Sequence, residues 1–133
     1  MPDEIKKILV IDDEPDERLY LATFLEDHGY ETRMAKDGND GLEKVRDQRP
    51  DLITLDITMP EKSGVKFFRE VRDDEDLCKI PIVVVTGVTG LGGSPEEFHR
   101  YLSTRENTPP PEGFIPKPVD QEKLLATVKK LIA

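Results

Sequence analysis

Three short aliphatic runs constrain this chain more than any other feature: IKKILVI at 5–11, DLITLD at 51–56 and IPIVVVTG at 80–87. Each is rich in Ile, Val and Leu, and none sustains a polar/apolar alternation. Strands buried on both faces have this character, which points to a parallel sheet held between helices. A fourth run, GFIPKP at 113–118, is weaker, and YETRMA at 30–35 alternates as an edge strand would.

Helical spacing fills the intervals. Pro15 suits a first helical turn, and Leu21, Phe24 and Leu25 fall at i, i+3, i+4 before Gly29 closes the segment. GLEKVRDQ at 41–48 sets Leu42 and Val45 three apart, stopped by Pro50. From Ser63, a candidate N-cap, Val65, Phe68 and Val71 share a face. A last helix starts near Val119 with Asp120 as its cap, and carries Leu124, Leu125, Val128, Leu131 and Ile132. Strands alternating with helices predict an α/β fold with crossover connections. At 133 residues the chain suits one domain, taken as 1–133.

The regularity fails over 87–112. GVTGLGGSP and TPPPEG concentrate glycine and proline, and PEEFHRYLSTR between them fits two or three helical turns with Phe98, Tyr101 and Leu102 clustered. A long, glycine-opened connection of this kind is usually functional. GVTGLGGS lacks the Lys-Ser/Thr that a P-loop needs after its last glycine, so a hinge is expected rather than a nucleotide cradle.

With 28 acidic against 19 basic residues the formal charge is −9, which opposes non-specific binding to nucleic acid or anionic membrane. The four-residue apolar run near the N-terminus is too short for a signal-peptide core, and no segment approaches a membrane span. One cysteine, Cys78, excludes an internal disulfide and fits a reducing compartment, so a cytoplasmic protein is expected. DLCKIP supplies no partner histidine to activate that thiol. His28 falls one turn after Leu25 on the inward stripe near a helix end and is expected to be a partly exposed packing histidine rather than a phosphodonor. The acidic run Asp73 to Asp76 is expected to be solvated, and Phe67 and Phe68 to divide between core and near-surface packing.

In an open parallel sheet, ligands bind beyond the carboxyl ends of the strands. Strand one ends in Asp12 and Asp13, strand three in Asp56, strand four in Thr86 and strand five in Lys117. Carboxylates held that close need a cation, and an oxygen-only ligand set selects a hard ion such as Mg²⁺. Magnesium beside a strand-end aspartate, with a lysine and a threonine opposite, supplies the parts for phosphoryl transfer onto a carboxylate.

At these residues the chain resembles the receiver domains of two-component response regulators. The matching features are Asp12-Asp13, DITMP at 56–60 with Gly64 following, Thr86 after VVV, and Lys117-Pro118. The resemblance spans essentially the whole chain. It implies a doubly wound, five-stranded parallel sheet of order 2-1-3-4-5, of flavodoxin-like receiver topology. It further implies Asp56 as phosphoacceptor, with Mg²⁺ bound by Asp13, Asp56 and the backbone carbonyl of Thr58, and by Asp12 through a water. Lys117 would pair with a phosphate oxygen, Thr86 would move to it, and Phe114 would rotate into the space vacated. Pro118 resembles the family's cis proline. The implied partners are a sensor histidine kinase or phosphotransfer protein and an unknown effector. The implied activity is that of a switch with weak self-catalysis, not a turnover enzyme.

Thirty-one residues separate Thr86 from Lys117, more than the family's usual spacing, so a standard output surface is not carried over. Phe98 and Tyr101 are expected to contribute to a phosphorylation-sensitive surface instead. The sequence suits either a stand-alone receiver or one cut from a longer regulator. The rival reading is a Mg²⁺-dependent aspartyl-phosphate phosphohydrolase of haloacid-dehalogenase type. Thr58 opposes it by standing where that class carries its general-acid aspartate.

Overall fold

The aliphatic runs become five strands in a computed structural model that describes residues 5–56, 63–86, 111–117 and 119–132, with Ser63 and Thr86 in their backbone only. The strands are β1 (Lys7–Ile11), β2 (Glu31–Ala35), β3 (Leu52–Leu55), β4 (Ile82–Thr86) and β5 (Gly113–Pro116). They form one sheet of order β2-β1-β3-β4-β5, the order the family resemblance implies, with every neighbouring pair parallel, as the aliphatic runs led one to expect. The alternating β2 pairs only with β1 and is an edge. Four helices are described: α1 (Pro15–Asp27), α2 (Gly38–Asp47), α3 (Ser63–Asp73) and α4 (Gln121–Ile132).

Successive side chains of a strand point to opposite faces, so a run without alternation must bury both. Ile8 and Val10 of β1 join Leu21, Leu25, Leu124 and Val128 in one core cluster. Leu9 and Ile11 join Leu42, Val45, Phe67 and Phe68 in the other. The sheet therefore has α1 and α4 on one face and α2 and α3 on the other. Phe67 and Phe68 are both fully buried, which corrects the expectation that one lies near the surface.

Local chemistry sets the helix ends. Pro15 occupies the first turn of α1, where a missing N–H costs nothing. Gly29 follows α1 at φ +94°, a conformation that disfavours any side chain. Asp37 caps α2 by accepting the Asp40 N–H at 2.8 Å, so α2 begins three residues earlier than its spacing suggests. Asp120 caps α4 through the Lys123 N–H. His28 is exposed and packs its ring against Phe24, the centroids 4.6 Å apart, with its Nδ1 2.9 Å from the Phe24 carbonyl at the end of α1. Asp74 is not merely solvated, since its Oδ1 accepts the N–H groups of Asp76 and Leu77 and shapes the turn after α3.

The segment 87–110 lies outside the described residues, with the helix expected there and with Phe98 and Tyr101. Its return is in view. The Glu112 N–H already donates to Ile82 O at 2.9 Å, so the chain has rejoined β4 before β5 formally starts.

Candidate functional site

Parallel strands bring their last residues to one edge, and the registers show which ones meet. Ile11 lies level with Leu55 and Ile11 with Ala35, so the chains leaving β1 and β3 emerge side by side. The Asp56 N–H donates to Ile11 O at 3.0 Å, which ties the two departures together. Asp12 and Asp56 are consequently buried, 1% and 2% exposed, while Asp13 is half-buried. One carboxylate oxygen from each of Asp12, Asp13 and Asp56 lies within 4.8 Å of the others.

Lys117 arrives from the end of β5. Its Nζ donates to Asp56 Oδ2 at 3.1 Å and lies 3.6 Å from Asp12 Oδ2. It also donates to Glu17 Oε2 at 2.5 Å. Glu17 was not among the residues anticipated. Its signal was available: α1 starts directly after the acidic loop, so its first turn must stand over the same sheet edge. Asp12, Glu17, Tyr20, Leu21, Lys117 and Val119 line a cavity of about 280 Å³ between α1 and the chain leading into α4.

The electrostatics follow from burial. Asp12 Oδ1 accepts the Glu14 N–H at 2.9 Å, but buried Oδ2 has no hydrogen-bond donor among the described residues. Burial pushes the Asp12 carboxyl up to about 6. The Glu14 N–H opposes this, the Asp56 charge adds to it, and the Lys117 charge opposes it. For Lys117, burial disfavours the ammonium, yet the bond to Glu17 and the charges of Asp56 and Asp12 outweigh it and raise its pKa.

A hard divalent cation fits this arrangement. The donors are all oxygen, three carboxylates converge, and among the described residues the lone pairs of Asp12 Oδ2 lack a hydrogen-bond donor. Thr86 ends β4 with its backbone level with Pro116, one residue before Lys117. Its side chain, Thr58 and Pro118 lie outside the described residues. Phe114 is half-buried and packs against the core cluster that contains Val84.

A doubly wound parallel sheet with an acidic cluster and a lysine at its carboxyl edge defines the class: an α/β protein with a cation-ready anionic pocket. Comparison with known proteins takes the class to a family. The response regulator receiver domain model matches residues 8–129, and this chain belongs to that family. It is 32% identical over 127 residues to Protein PilH of Pseudomonas aeruginosa, covering 96% of this chain and 98% of that one. It is 30% identical to the polar-differentiation response regulator DivK of Brucella anthropi, covering 96% of each. The solved structure of the chemotaxis response regulator CheY4 of Vibrio cholerae superposes with a TM-score of 0.79 at 30% identity, covering 96% of this chain and 99% of that one.

Receiver domains are signalling switches rather than classical enzymes, and they interact with histidine kinases or phosphotransfer proteins and with effectors. These comparisons lend no support to the phosphohydrolase alternative. Among the described residues no helix is long and apolar enough to cross a membrane.

Proposed function

We propose that this chain, as a single receiver domain over 1–133, accepts a phosphoryl group on Asp56 from a phosphohistidine of a sensor histidine kinase or phosphotransfer protein. The observation that carries the reading is the setting of Asp56. Its carboxylate is buried at the strand edge, grouped with those of Asp12 and Asp13, and held by the Lys117 ammonium.

An Asp56 oxygen attacks phosphorus as the N–P bond breaks, and the electron pair leaves with the imidazole nitrogen, which takes up a proton. The product is an acyl phosphate. Asp12, Asp13 and Asp56, with the Thr58 carbonyl, would hold Mg²⁺. When bound, the ion supplies positive charge against the phosphoryl oxygens. Lys117, hydrogen-bonded to Asp56, would add a second positive charge. The new group brings about −1.5 to −2 charges, which Thr86 would meet with its hydroxyl and Phe114 would follow by repacking. That repacking shifts an equilibrium between two output surfaces, only as far as the phosphoryl group binds one better than the other. A cytoplasmic setting accords with a kinase partner, and the output passes to an effector protein rather than to nucleic acid directly.

Incubation with Mg²⁺ and a small phosphodonor such as acetyl phosphate should add one phosphoryl group by intact mass, labile to base and absent in Asp56→Asn. Rapid multiple turnover of a phosphate ester, without a stable adduct, would favour the hydrolase reading.

A further inference from the structure

Of the three carboxylates around Lys117, the one that stands closest belongs to neither strand end. Glu17 Oε2 is 2.5 Å from Nζ, against 3.1 Å for Asp56 and 3.6 Å for Asp12. An ammonium has three N–H donors and no more. Two of them already reach carboxylates, Glu17 at 2.5 Å and Asp56 at 3.1 Å, while Asp12 Oδ2 lies farther off at 3.6 Å, so a phosphoryl oxygen arriving on Asp56 meets an ammonium that Glu17 already draws to itself.

Asp12 and Asp56 are buried at strand ends, 1% and 2% exposed. Glu17 is different. Its side chain is 47% exposed on the first turn of α1 and can swing into water at little cost. It also lines the cavity that opens beside Lys117, so its charge opposes any anion entering there.

We propose that Glu17 competes with the phosphoryl group for Lys117, holding the ammonium while Asp56 is unmodified and weakening the phosphorylated arrangement. This rests on the reading of Asp56 as phosphoacceptor. Glu17 acts through Lys117 and is therefore a positioning residue. An ion pair with so exposed a member is screened, so its removal is worth about two- to fivefold in affinity.

The test is a calorimetric titration of the full chain with Mg²⁺ alone, then with beryllofluoride, a phosphoryl mimic, at saturating Mg²⁺. Thermal unfolding establishes that each variant is folded. Glu17→Gln should bind beryllofluoride about two- to fivefold more tightly than the wild type, while its Mg²⁺ affinity stays equal or falls. A general structural role would move both affinities in the same direction. Glu17→Asp keeps the charge but is one methylene short of the ammonium, and it should tighten beryllofluoride binding as Glu17→Gln does. Unchanged or weaker beryllofluoride binding by Glu17→Gln overturns the competition. A wild-type-like Glu17→Asp overturns it too, because rim charge rather than contact would then be responsible. If the wild type binds Mg²⁺ but no beryllofluoride, it is the phosphoacceptor reading that fails.

Discussion

Arg72, its side chain fully buried, donates to Glu112 Oε1 at 2.6 Å across forty residues of sequence. The guanidinium lies 5.0 Å from the centre of the Phe68 ring and donates to the carbonyls of Cys78 and Ile80. The same Glu112 oxygen accepts the Ile82 N–H at 2.8 Å. One ion pair thus fastens the end of α3, the entry to β4 and the entry to β5. It sits at the opposite end of β4 from Thr86, where the irregular connection returns to the sheet.

Removing one partner of such a pair leaves a buried charge without compensation, which costs more than the pair itself contributes. Glu112→Ala should lower stability by about 2 kcal/mol, less than for a fully buried pair because the Glu112 side chain is 33% exposed. Glu112→Gln, which keeps an acceptor for the Ile82 N–H, should lose less. Urea denaturation of the two variants checks the order. Equal losses would mean that the charge alone matters and that the hydrogen bond to the Ile82 N–H contributes nothing.

Asp12 makes stability pH-dependent in a definite direction. Its carboxyl is pushed up to about 6 from an ordinary value of 3.8, chiefly by burial. A group raised on folding contributes stability below its unfolded value and loses it as pH climbs through the folded one. Metal-free protein should therefore lose on the order of 2–3 kcal/mol from this residue between pH 4 and pH 7. Asp12→Asn should be more stable than the wild type at pH 7.5 in EDTA, and the gap should close towards pH 4. A gap that ignores pH would show that burial of this carboxylate carries no such penalty.

The strands and the pocket were legible because the physics that places them is short-ranged or general. Short unbroken aliphatic runs rich in Ile and Val suit doubly buried strands, and parallel pairing sends their last residues to one edge. That rule alone groups Asp12, Asp13, Asp56 and Lys117. Glu17 and Arg72 were missed for a shared reason: a charged residue in a helix is normally solvated, and the spacing rule follows apolar residues only. Arg72 lies four residues after Phe68, on the inward stripe, but nothing local announces a carboxylate forty residues away. The start of α2 was hidden by Gly38 and Gly41, both poor helix formers, of which Gly41 is explained by packing.

Gly41 shows that packing directly. A methyl group there would stand 2.7 Å from Ile11 Cδ1 and 3.1 Å from Phe67 Cε2, and both neighbours are buried. Gly41→Ala gains helix propensity of about 1 kcal/mol but overfills a closed core, an effect of about 1–3 kcal/mol. The net change should be destabilising. Ile11→Val removes the obstructing Cδ1, so it should cost about 1 kcal/mol in the wild type and much less, or nothing, beside Gly41→Ala. Thermal unfolding of the four proteins in the cycle measures the coupling. Additive effects would show that Ile11 is not what keeps residue 41 a glycine.

Cation affinity should respond in opposite senses to changes at Asp13 and Lys117. Asp13 is half-buried and belongs to the carboxylate cluster, so Asp13→Asn removes both a ligand oxygen and a charge. Magnesium affinity should fall by about tenfold or more. Lys117 repels a cation in the same pocket while its bonds to Asp56 and Glu17 occupy their lone pairs. Lys117→Gln should therefore bind Mg²⁺ about threefold or more tightly, although its metal-free form is destabilised by carboxylates left facing one another. Calorimetric titration at pH 7.5 measures both, and the pH keeps Asp12 ionised so that protonation does not compete. If Lys117→Gln instead binds the ion more weakly, the lysine supports the pocket's shape more than it opposes its charge.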